Sequence, residues 1–270
     1  MSPRLFLHAM SVEARKRMSY RADFWITAVA GFAAEFGVAW FLWRAVFAAT
    51  GESTIGGYSR DGMVLYYVAV TLLGKLVRGP EYEGVISQDI YDGGLSRYLL
   101  YPASYFAFKY AQLLGALLPA FLQFVLFGVW FPLFMGAPDD VSLSAASLAM
   151  GFGATLAANL LHFLLTVPIQ AVAFWADNVW SLSVALRFVA GLLGGSLLPL
   201  SVFSPWARDA LAWLPFPLLF DFPANSLLGR LSPEAWARGM ALAGLWAVVF
   251  AALGRAVWRR GDLRYTGVGM

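Results

Sequence analysis

Long apolar segments alternate with short polar connections along the whole chain. Six segments stand out by length or apolar content: Phe24–Phe47, Gly62–Val77, Tyr105–Met135, Leu143–Phe174, Val179–Phe203 and Ala235–Val257. About 20 apolar residues in a helix cross a bilayer core of about 30 Å. The second segment is short for a span, whereas the third and fourth exceed one bilayer thickness. The pattern predicts an all-α integral membrane protein with six spans in a single transmembrane domain, residues 1–270.

Residues 1–23 interleave basic and apolar side chains. Five basic residues between Arg4 and Arg21 share this stretch with apolar residues such as Leu5, Leu7 and Val12. This mixture is typical of an amphipathic helix that lies at a membrane surface. A secretory signal is the competing interpretation, but the following apolar run is longer than the 7–15 residues or so of a signal's apolar region. We therefore expect an interfacial helix.

The segment Arg78–Pro102 is the longest internal stretch in which charged and polar residues dominate. Gly79-Pro80 and Gly93-Gly94 break the chain on either side of a short region with helical spacing. The apolar positions of that region are Tyr82, Val85, Ile86 and Ile90, and its acids are Glu81, Glu83, Asp89 and Asp92. Two interpretations are open, a solvated loop between spans and an amphipathic helix on which a cytosolic partner acts.

The segment Ser204–Pro233 combines five prolines with several large aromatic residues. It is too interrupted to cross a membrane as one helix and too apolar for an open loop. Backbone groups inside a membrane need internal hydrogen bonds, so two short half-inserted helices fit this composition. We expect them at about Pro205–Leu214 and Leu218–Leu228.

Composition and charge placement strengthen the membrane assignment and predict the orientation. Hydrophobic residues make up 60% of the chain, against about 45–50% in soluble proteins. If both termini are cytosolic, the inner segments Met1–Asp23, Lys75–Ser104 and Trp258–Met270 hold five, three and three Lys or Arg residues. The outer loops hold only Arg60, Arg208 and Arg230. By the positive-inside rule, both termini and Arg78–Pro102 are cytosolic, and the proline-rich segment lies on the far face.

Residue patterns for catalysis, metal binding and nucleotide binding are missing from the sequence. Gly74-Lys75 is followed by leucine and lacks the upstream glycine of a phosphate-binding loop. The chain has no cysteine, and its two histidines, His8 and His162, lie far apart in sequence. We expect no catalytic residue, no metal site and no cofactor bound by this chain, and no nucleic-acid partner.

A few polar residues inside the apolar segments are candidates for a translocation path. Glu35 lies near the middle of the first segment, where it either lines the path or pairs with a neighbouring helix. Asn159 and His162 share one face of the fourth segment, where they either join helices or contact the substrate. Arg187, about two turns from the cytosolic end of the fifth segment, fits a side chain that snorkels to the interface.

Three short motifs resemble permease subunits of ABC-2-type ABC transporters, in the small six-span branch without a fused ATPase. The first is Ile90-Tyr-Asp-Gly-Gly-Leu95 with Leu99-Leu-Tyr-Pro102. The second is Leu198-Pro-Leu-Ser-Val-Phe-Ser-Pro205, followed by Leu214-Pro-Phe216, Pro223 and Leu228-Gly229. The third is Gly261-Asp-Leu-Arg-Tyr265 with Gly267. The first motif departs from the family at Gly94, where the family often has an acid.

The resemblance implies a cytosolic coupling segment at 78–102 and a re-entrant hairpin on the far side at 204–233. The implied coupling residues are Glu81, Tyr82, Glu83, Val85, Ile86, Asp89 and Ile90. The implied hairpin residues are Pro205, Pro215, Phe216, Pro223 and Gly229. We expect the apolar face of the coupling helix to occupy a groove of an ATPase subunit, with its acids against basic residues around that groove.

The resemblance also implies the partners and the location. Two permease chains, identical or homologous, would sit in the lipid of a bacterial inner membrane on a cytosolic ABC ATPase dimer. That dimer would use ATP and Mg²⁺ to drive export. Two alternatives stay open: an ion-coupled secondary transporter with Glu35 as its proton site, and a membrane enzyme or assembly scaffold.

Overall fold

The computed structural model describes residues 1–18, 21–79, 84–99, 104–136 and 138–265, and this part of the chain is almost entirely helical. The helices are α1 (Pro3–Met18), α2 (Arg21–Thr50), α3 (Arg60–Arg78), α4 (Val85–Tyr91), α5 (Leu95–Leu99), α6 (Tyr105–Ala116), α7 (Leu118–Met135), α8 (Ala145–Gln170), α9 (Trp180–Leu193), α10 (Pro205–Leu211), α11 (Asp221–Leu227) and α12 (Pro233–Asp262). Short 3-10 turns follow at Ala171–Phe174, Leu200–Val202 and Phe216–Leu218. Strands β1 (Thr54–Ile55) and β2 (Tyr58–Ser59) pair antiparallel between α2 and α3.

Four helical segments in the described part of the chain are long and apolar enough to cross a membrane. They are Val29–Thr50, Tyr105–Gly128, Ala145–Phe174 and Pro233–Asp262. These correspond to the first, third, fourth and sixth apolar segments of the sequence, and they confirm an all-α membrane fold. The predicted fifth span is shorter than expected: α9 ends at Leu193 because Gly194 and Gly195 follow, and Gly195 has a φ of +89°.

Helix α3 is the centre of the packed interior although its ends are charged. It contacts α2, α7, α8 and α11. Met63, Tyr66 and Val77 along its length are fully buried. Charges at both ends, including Arg60 and Arg78, lower the average hydropathy of the helix. Other helices cover α3 on several sides, so its central position is not a result of its apolar composition alone.

The third apolar segment is broken into two helices. Helix α6 ends at Ala116, and α7 begins at Leu118 with Pro119 in its first turn. Proline has no N–H to donate and its ring clashes with the preceding turn, so it is favoured at a helix start and disfavoured inside a helix. The break therefore follows from Pro119.

Helix α1 packs along α6. Gly115 of α6 allows the contact, since a Cβ there would lie 2.2 Å from the backbone oxygen of Met10. Ala9 and Glu13 are buried, whereas Leu7 and other large apolar side chains of α1 are exposed. The predicted N-terminal helix is present, and its contact with a membrane surface stays a prediction.

The proline-rich segment folds into two short helices, α10 and α11, on either side of the 3-10 turn at Phe216–Leu218. Helix α11 packs against α8 and α3. Phe220, just before α11, is 1% exposed, and a Cβ at Gly74 of α3 would lie 3.9 Å from its ring. The two predicted helices are therefore present with shorter bounds. The segment extends along α3 as far as Gly74.

Candidate functional site

Helix α4 lies against the protein's own interior at the end where α3 and α8 finish. Ile86 and Ile90 are 1% and 4% exposed, and the helix packs against the 3-10 turn at Ala171–Phe174. The described part of this apolar face therefore packs within the permease in this conformation, and its contact with a groove of a partner stays a prediction. Gln88 and Asp92, by contrast, are exposed.

The start of α4 is capped by a side chain from α8. Oε1 of Gln170, the last residue of α8, accepts hydrogen bonds from the backbone N–H groups of Gly84 at 3.2 Å and Ile86 at 3.0 Å. The first N–H groups of a helix have no partner within the helix. Gln170 is 3% exposed, so this buried amide couples the position of α4 to that of α8.

Asp89 joins α4 to α6 through a buried ion pair. Its carboxylate pairs with Nζ of Lys109, which is 2% exposed, and accepts a hydrogen bond of 2.6 Å from the Tyr105 hydroxyl. Lys109 also donates to the Tyr98 hydroxyl at 3.2 Å and lies 4.6 Å from the centre of that ring. Asp89 thus has cations within this chain, Lys109 and, at 3.9 Å, the exposed Arg97, and its contact with basic residues of a partner stays a prediction.

The end of α12 completes the same cluster. The Tyr265 hydroxyl accepts a hydrogen bond of 3.2 Å from the backbone N–H of Ser96 in α5. The Trp258 ring stacks on Tyr105 with centres 5.2 Å apart and meets Phe174 edge-on at 5.0 Å. Helices α4 and α5 are thus attached to α6, α8 and α12. We call this cluster the α4 platform; its side chains are Asp89, Tyr98, Tyr105, Lys109, Gln170, Trp258 and Tyr265.

A scan against protein-family models matches residues 33–269 to the ABC-2 family transporter protein model. This match spans most of the 270 residues, including the α4 platform. The chain belongs to the ABC-2 transporter family. It is therefore a membrane permease component of an ABC transporter, and such components are not themselves catalytic. Searches of curated proteins and of solved structures give no match.

At the opposite end of α3 and α8, the permease holds a second polar cluster around Arg230. Its guanidinium donates to the backbone oxygen of Gly57 at 2.7 Å and to Oδ2 of Asp140 at 3.2 Å, and lies 3.8 Å from the centre of the Tyr58 ring. Asp140 also accepts a hydrogen bond of 2.6 Å from the Ser59 hydroxyl. These contacts fasten the strand hairpin and the α7–α8 turn to the start of α12.

Helix α11 is held to α3 by a neighbouring network. The Tyr66 hydroxyl lies 2.9 Å from both the backbone oxygen of Gly195 and Oδ1 of Asp221, and the Tyr58 hydroxyl donates to Asn225 at 2.6 Å. A cavity of about 390 Å³ opens beside these residues. Asp221 lines this cavity.

The predicted path residues occupy three different environments. Asn159 is 1% exposed and donates to the backbone oxygens of Leu76 at 2.9 Å and Val77 at 3.1 Å. It therefore covers carbonyl groups at the end of α3, as expected of a residue that joins helices. His162, one turn further along α8, is 5% exposed. Glu35 is exposed on the outer side of α2.

The predicted hairpin residues mark the boundaries of its helices. Pro205 begins α10, Pro215 directly precedes the 3-10 turn that Phe216 begins, and Pro223 is buried within α11. Gly229 follows α11 with a φ of +69°. The coupling residues Glu81, Tyr82 and Glu83 lie outside the described residues.

Sequence reasoning missed the residues that make the long-range polar contacts. Lys109 is a single lysine inside an apolar run, and that costly placement was a usable signal. Gln170, Asp140 and Arg230 carried no comparable local signal. Within the described ranges, no group of three or more metal-binding side chains is assembled.

Proposed function

We propose that this permease is the membrane subunit of an ATP-driven exporter, and that α4 is the element through which a cytosolic ATPase dimer acts on it. The observation that carries the proposal is the attachment of α4 and α5 to three long helices through the α4 platform. An element that a partner moves must transmit its displacement, and buried polar contacts with α6 and α8 provide rigid connections.

The exposed side of α4 offers the surface for that partner. Gln88, Asp92 and Arg97 are exposed, whereas Ile86 and Ile90 are already packed. The partner would therefore contact polar side chains, together with the acids at 81 and 83. ATP and Mg²⁺ would be bound by the ATPase subunits, whose closure would shift α4 and change access to the path.

A second permease chain, identical or homologous, would complete the path. Glu35 lies exposed on α2 among apolar side chains such as Val38, which is 69% exposed. It has no partner among the residues that the structure describes. A carboxylate that faces lipid is costly, so a neighbouring chain or a water-filled path beside α2 fits this arrangement. We place six spans in a bacterial inner membrane, with α3 and α9 as the two short ones, both termini cytosolic and the α10–α11 hairpin half-inserted on the far side.

Cross-linking from a single thiol tests the role of α4. The chain has no cysteine, so Gln88→Cys introduces a unique reactive group. With the ATPase co-expressed, a short bis-maleimide should join Gln88→Cys to the ATPase subunit, provided that subunit presents a cysteine near the contact. Transport per ATP is measured in the same membranes.

The matched control is Trp213→Cys on the hairpin, whose side chain is 75% exposed. It should give no ATPase adduct. The proposal is contradicted if Gln88→Cys yields no adduct with cysteines placed in turn around the ATPase surface, or if both positions react equally.

A further inference from the structure

The cavity beside Asp221 has the size and lining of a small-molecule pocket. Its volume of about 390 Å³ lies within the range of about 300–1,000 Å³ that is usual for such pockets. Its apolar lining includes Leu200, Leu211, Leu218 and Phe222, and polar side chains line the rest. A ligand here would bury an apolar part and direct a few polar groups at fixed partners.

The Asp221 carboxylate depends on a hydroxyl group that serves two acceptors. The Tyr66 hydroxyl lies 2.9 Å from Oδ1 of Asp221 and 2.9 Å from the backbone oxygen of Gly195. A tyrosine hydroxyl has one hydrogen to donate, whereas a carboxylate accepts at about four positions. The two acceptors share one hydrogen, so the carboxylate is left short of donors.

The other polar neighbours of Asp221 are already engaged. Arg230 lines the same cavity, but its guanidinium pairs with Oδ2 of Asp140 at 3.2 Å. The amide of Asn225 donates to the backbone oxygen of Asp221 at 3.0 Å. Among the residues that the structure describes, no lysine or arginine forms an ion pair with Asp221. The carboxylate therefore retains acceptor capacity for a ligand in the cavity.

Asp221 lies at a depth where an unpaired charge is costly. Its hydrogen-bond partner Tyr66 comes six residues after Arg60, the first residue of α3, which is about 9 Å along the helix axis. Ionised side chains within membrane segments need a partner or water. An ammonium group supplies a positive charge and three N–H donors. The carboxylate is therefore suited to an ammonium group.

The same cavity offers donors for an acidic group. Arg208 of α10 lines it and is exposed, and its guanidinium forms no ion pair within the described ranges, including with its neighbour Asp209. Ser201 also lines the cavity, and its buried hydroxyl has no hydrogen-bond partner. Buried polar groups without a partner are rare in proteins. Guanidinium groups match the geometry of phosphate and carboxylate oxygens, so an acidic oxygen suits this part of the cavity.

We propose that this cavity binds a zwitterionic amphiphile, with its ammonium group at Asp221, its phosphate or carboxylate at Arg208, and its apolar part against Leu211 and Phe222. An acid and a base that line one cavity without pairing match a ligand with both charges better than a ligand with either one. An ammonium-bearing phospholipid and an exported amphiphile share this chemistry. The inference goes beyond the proposed transport function, because the cavity lies at the end of α3 opposite to α4.

Three hexyl probes test the site in the purified full-length permease in neutral detergent. Hexylammonium carries only the cation, hexyl phosphate only the anion, and 2-aminoethyl hexyl phosphate carries both. Calorimetric titration should give the lowest Kd for the zwitterion. Asp221→Asn should raise the Kd for the zwitterion and for hexylammonium about tenfold, the typical effect of losing a charged hydrogen bond, and leave hexyl phosphate unchanged. Arg208→Gln should raise the Kd for the zwitterion and for hexyl phosphate to a similar extent, and leave hexylammonium unchanged.

The matched controls are Asp209→Asn and Arg238→Gln, two exposed positions outside the cavity lining, and neither should change any Kd. Asparagine at 221 keeps an acceptor for Tyr66, so we expect the fold to survive. If Asp221→Asn nevertheless fails to fold, the exposed Arg208 decides the question. Equal affinity for the three probes, or an unchanged Kd for the zwitterion in either variant, overturns the proposal.

Dihexanoyl phosphatidylethanolamine distinguishes the two sources of the ligand, since it carries the same head group on two chains. Tighter binding than the one-chain zwitterion assigns the site to a bilayer phospholipid, and weaker binding assigns it to a one-chain molecule. The cross-link from Gln88→Cys to the ATPase tests the proposed function independently. Either proposal can therefore fail without the other.

Discussion

Asp89 and Lys109 show how single residues keep charge inside the packed permease. Each is at most 8% exposed. The Tyr98 and Tyr105 hydroxyls contact this pair, and the exposed Arg97 lies 3.9 Å from the Asp89 carboxylate. A buried ion pair is weak evidence for added stability, since both groups lose their hydration. Removing one partner is costly because the other charge is then left buried.

Lys109→Met should therefore destabilise the permease strongly. We expect a loss of about 3–5 kcal/mol in the free energy of unfolding, because the Asp89 carboxylate loses its buried cation and keeps only the exposed Arg97 at 3.9 Å. Thermal unfolding of the purified protein in detergent measures the effect. The double variant Asp89→Asn/Lys109→Met should recover part of the loss. The exposed control Asp92→Asn should change little, and equal melting temperatures for Lys109→Met and the unsubstituted permease would contradict the prediction.

At the scale of elements, the hairpin depends on a sharp turn between α11 and α12. Gly229 has a φ of +69°, a conformation that is costly for other residues. A Cβ there would also lie 2.1 Å from the backbone oxygen of Ser142, and the N–H of Ser142 donates to the carbonyl of Leu228 at 3.0 Å. The turn therefore joins the hairpin to the start of α8.

Gly229→Ala should separate α11 from the α7–α8 turn. We expect a loss of about 1–3 kcal/mol from backbone strain, with a further loss from the steric clash. Gly244→Ala is the matched control, since this helical glycine has nothing within 4 Å of a new Cβ and alanine favours helix by about 1 kcal/mol. Melting temperatures that fall by the same amount in both variants would show that the turn is unimportant.

At the scale of the whole molecule, two polar clusters lie at opposite ends of α3 and α8. The Arg230 cluster holds the turns around the starts of these helices, and the α4 platform holds their far ends. Helix α3, with 19 residues, extends over about 28 Å at 1.5 Å per residue. This length is close to a bilayer core, so each cluster is expected near one membrane face.

Labelling of single cysteines in intact cells checks the sidedness. Trp206→Cys on α10, whose side chain is 76% exposed, should react with a membrane-impermeant maleimide added outside. Asp92→Cys at the end of α4 should react only after the membrane is opened, because the basic loops are retained inside. The native chain without cysteine is the blank. Labelling of Asp92→Cys from outside would reverse the proposed orientation.

The sequence alone determined that the apolar segments are helical and what class of membrane protein they form. Apolar runs, glycines and prolines act over a few residues, and the two short helices around Pro215 were predicted from them. The break at Pro119 and the end of α9 before Gly194 were not predicted, because the apolar runs continue through both positions. The family match confirms the transporter class that the three motifs indicated.

Only the tertiary structure decided which faces and side chains meet. The spacing of Ile86 and Ile90 predicted an apolar face, but the choice between a partner's groove and the permease's own interior depended on the turn after α8. Likewise, Asp89 found Lys109 on α6, and Gln170 found the start of α4, 84 residues away from Ile86. Such contacts depend on how distant helices pack, and no local pattern of residues carries that information.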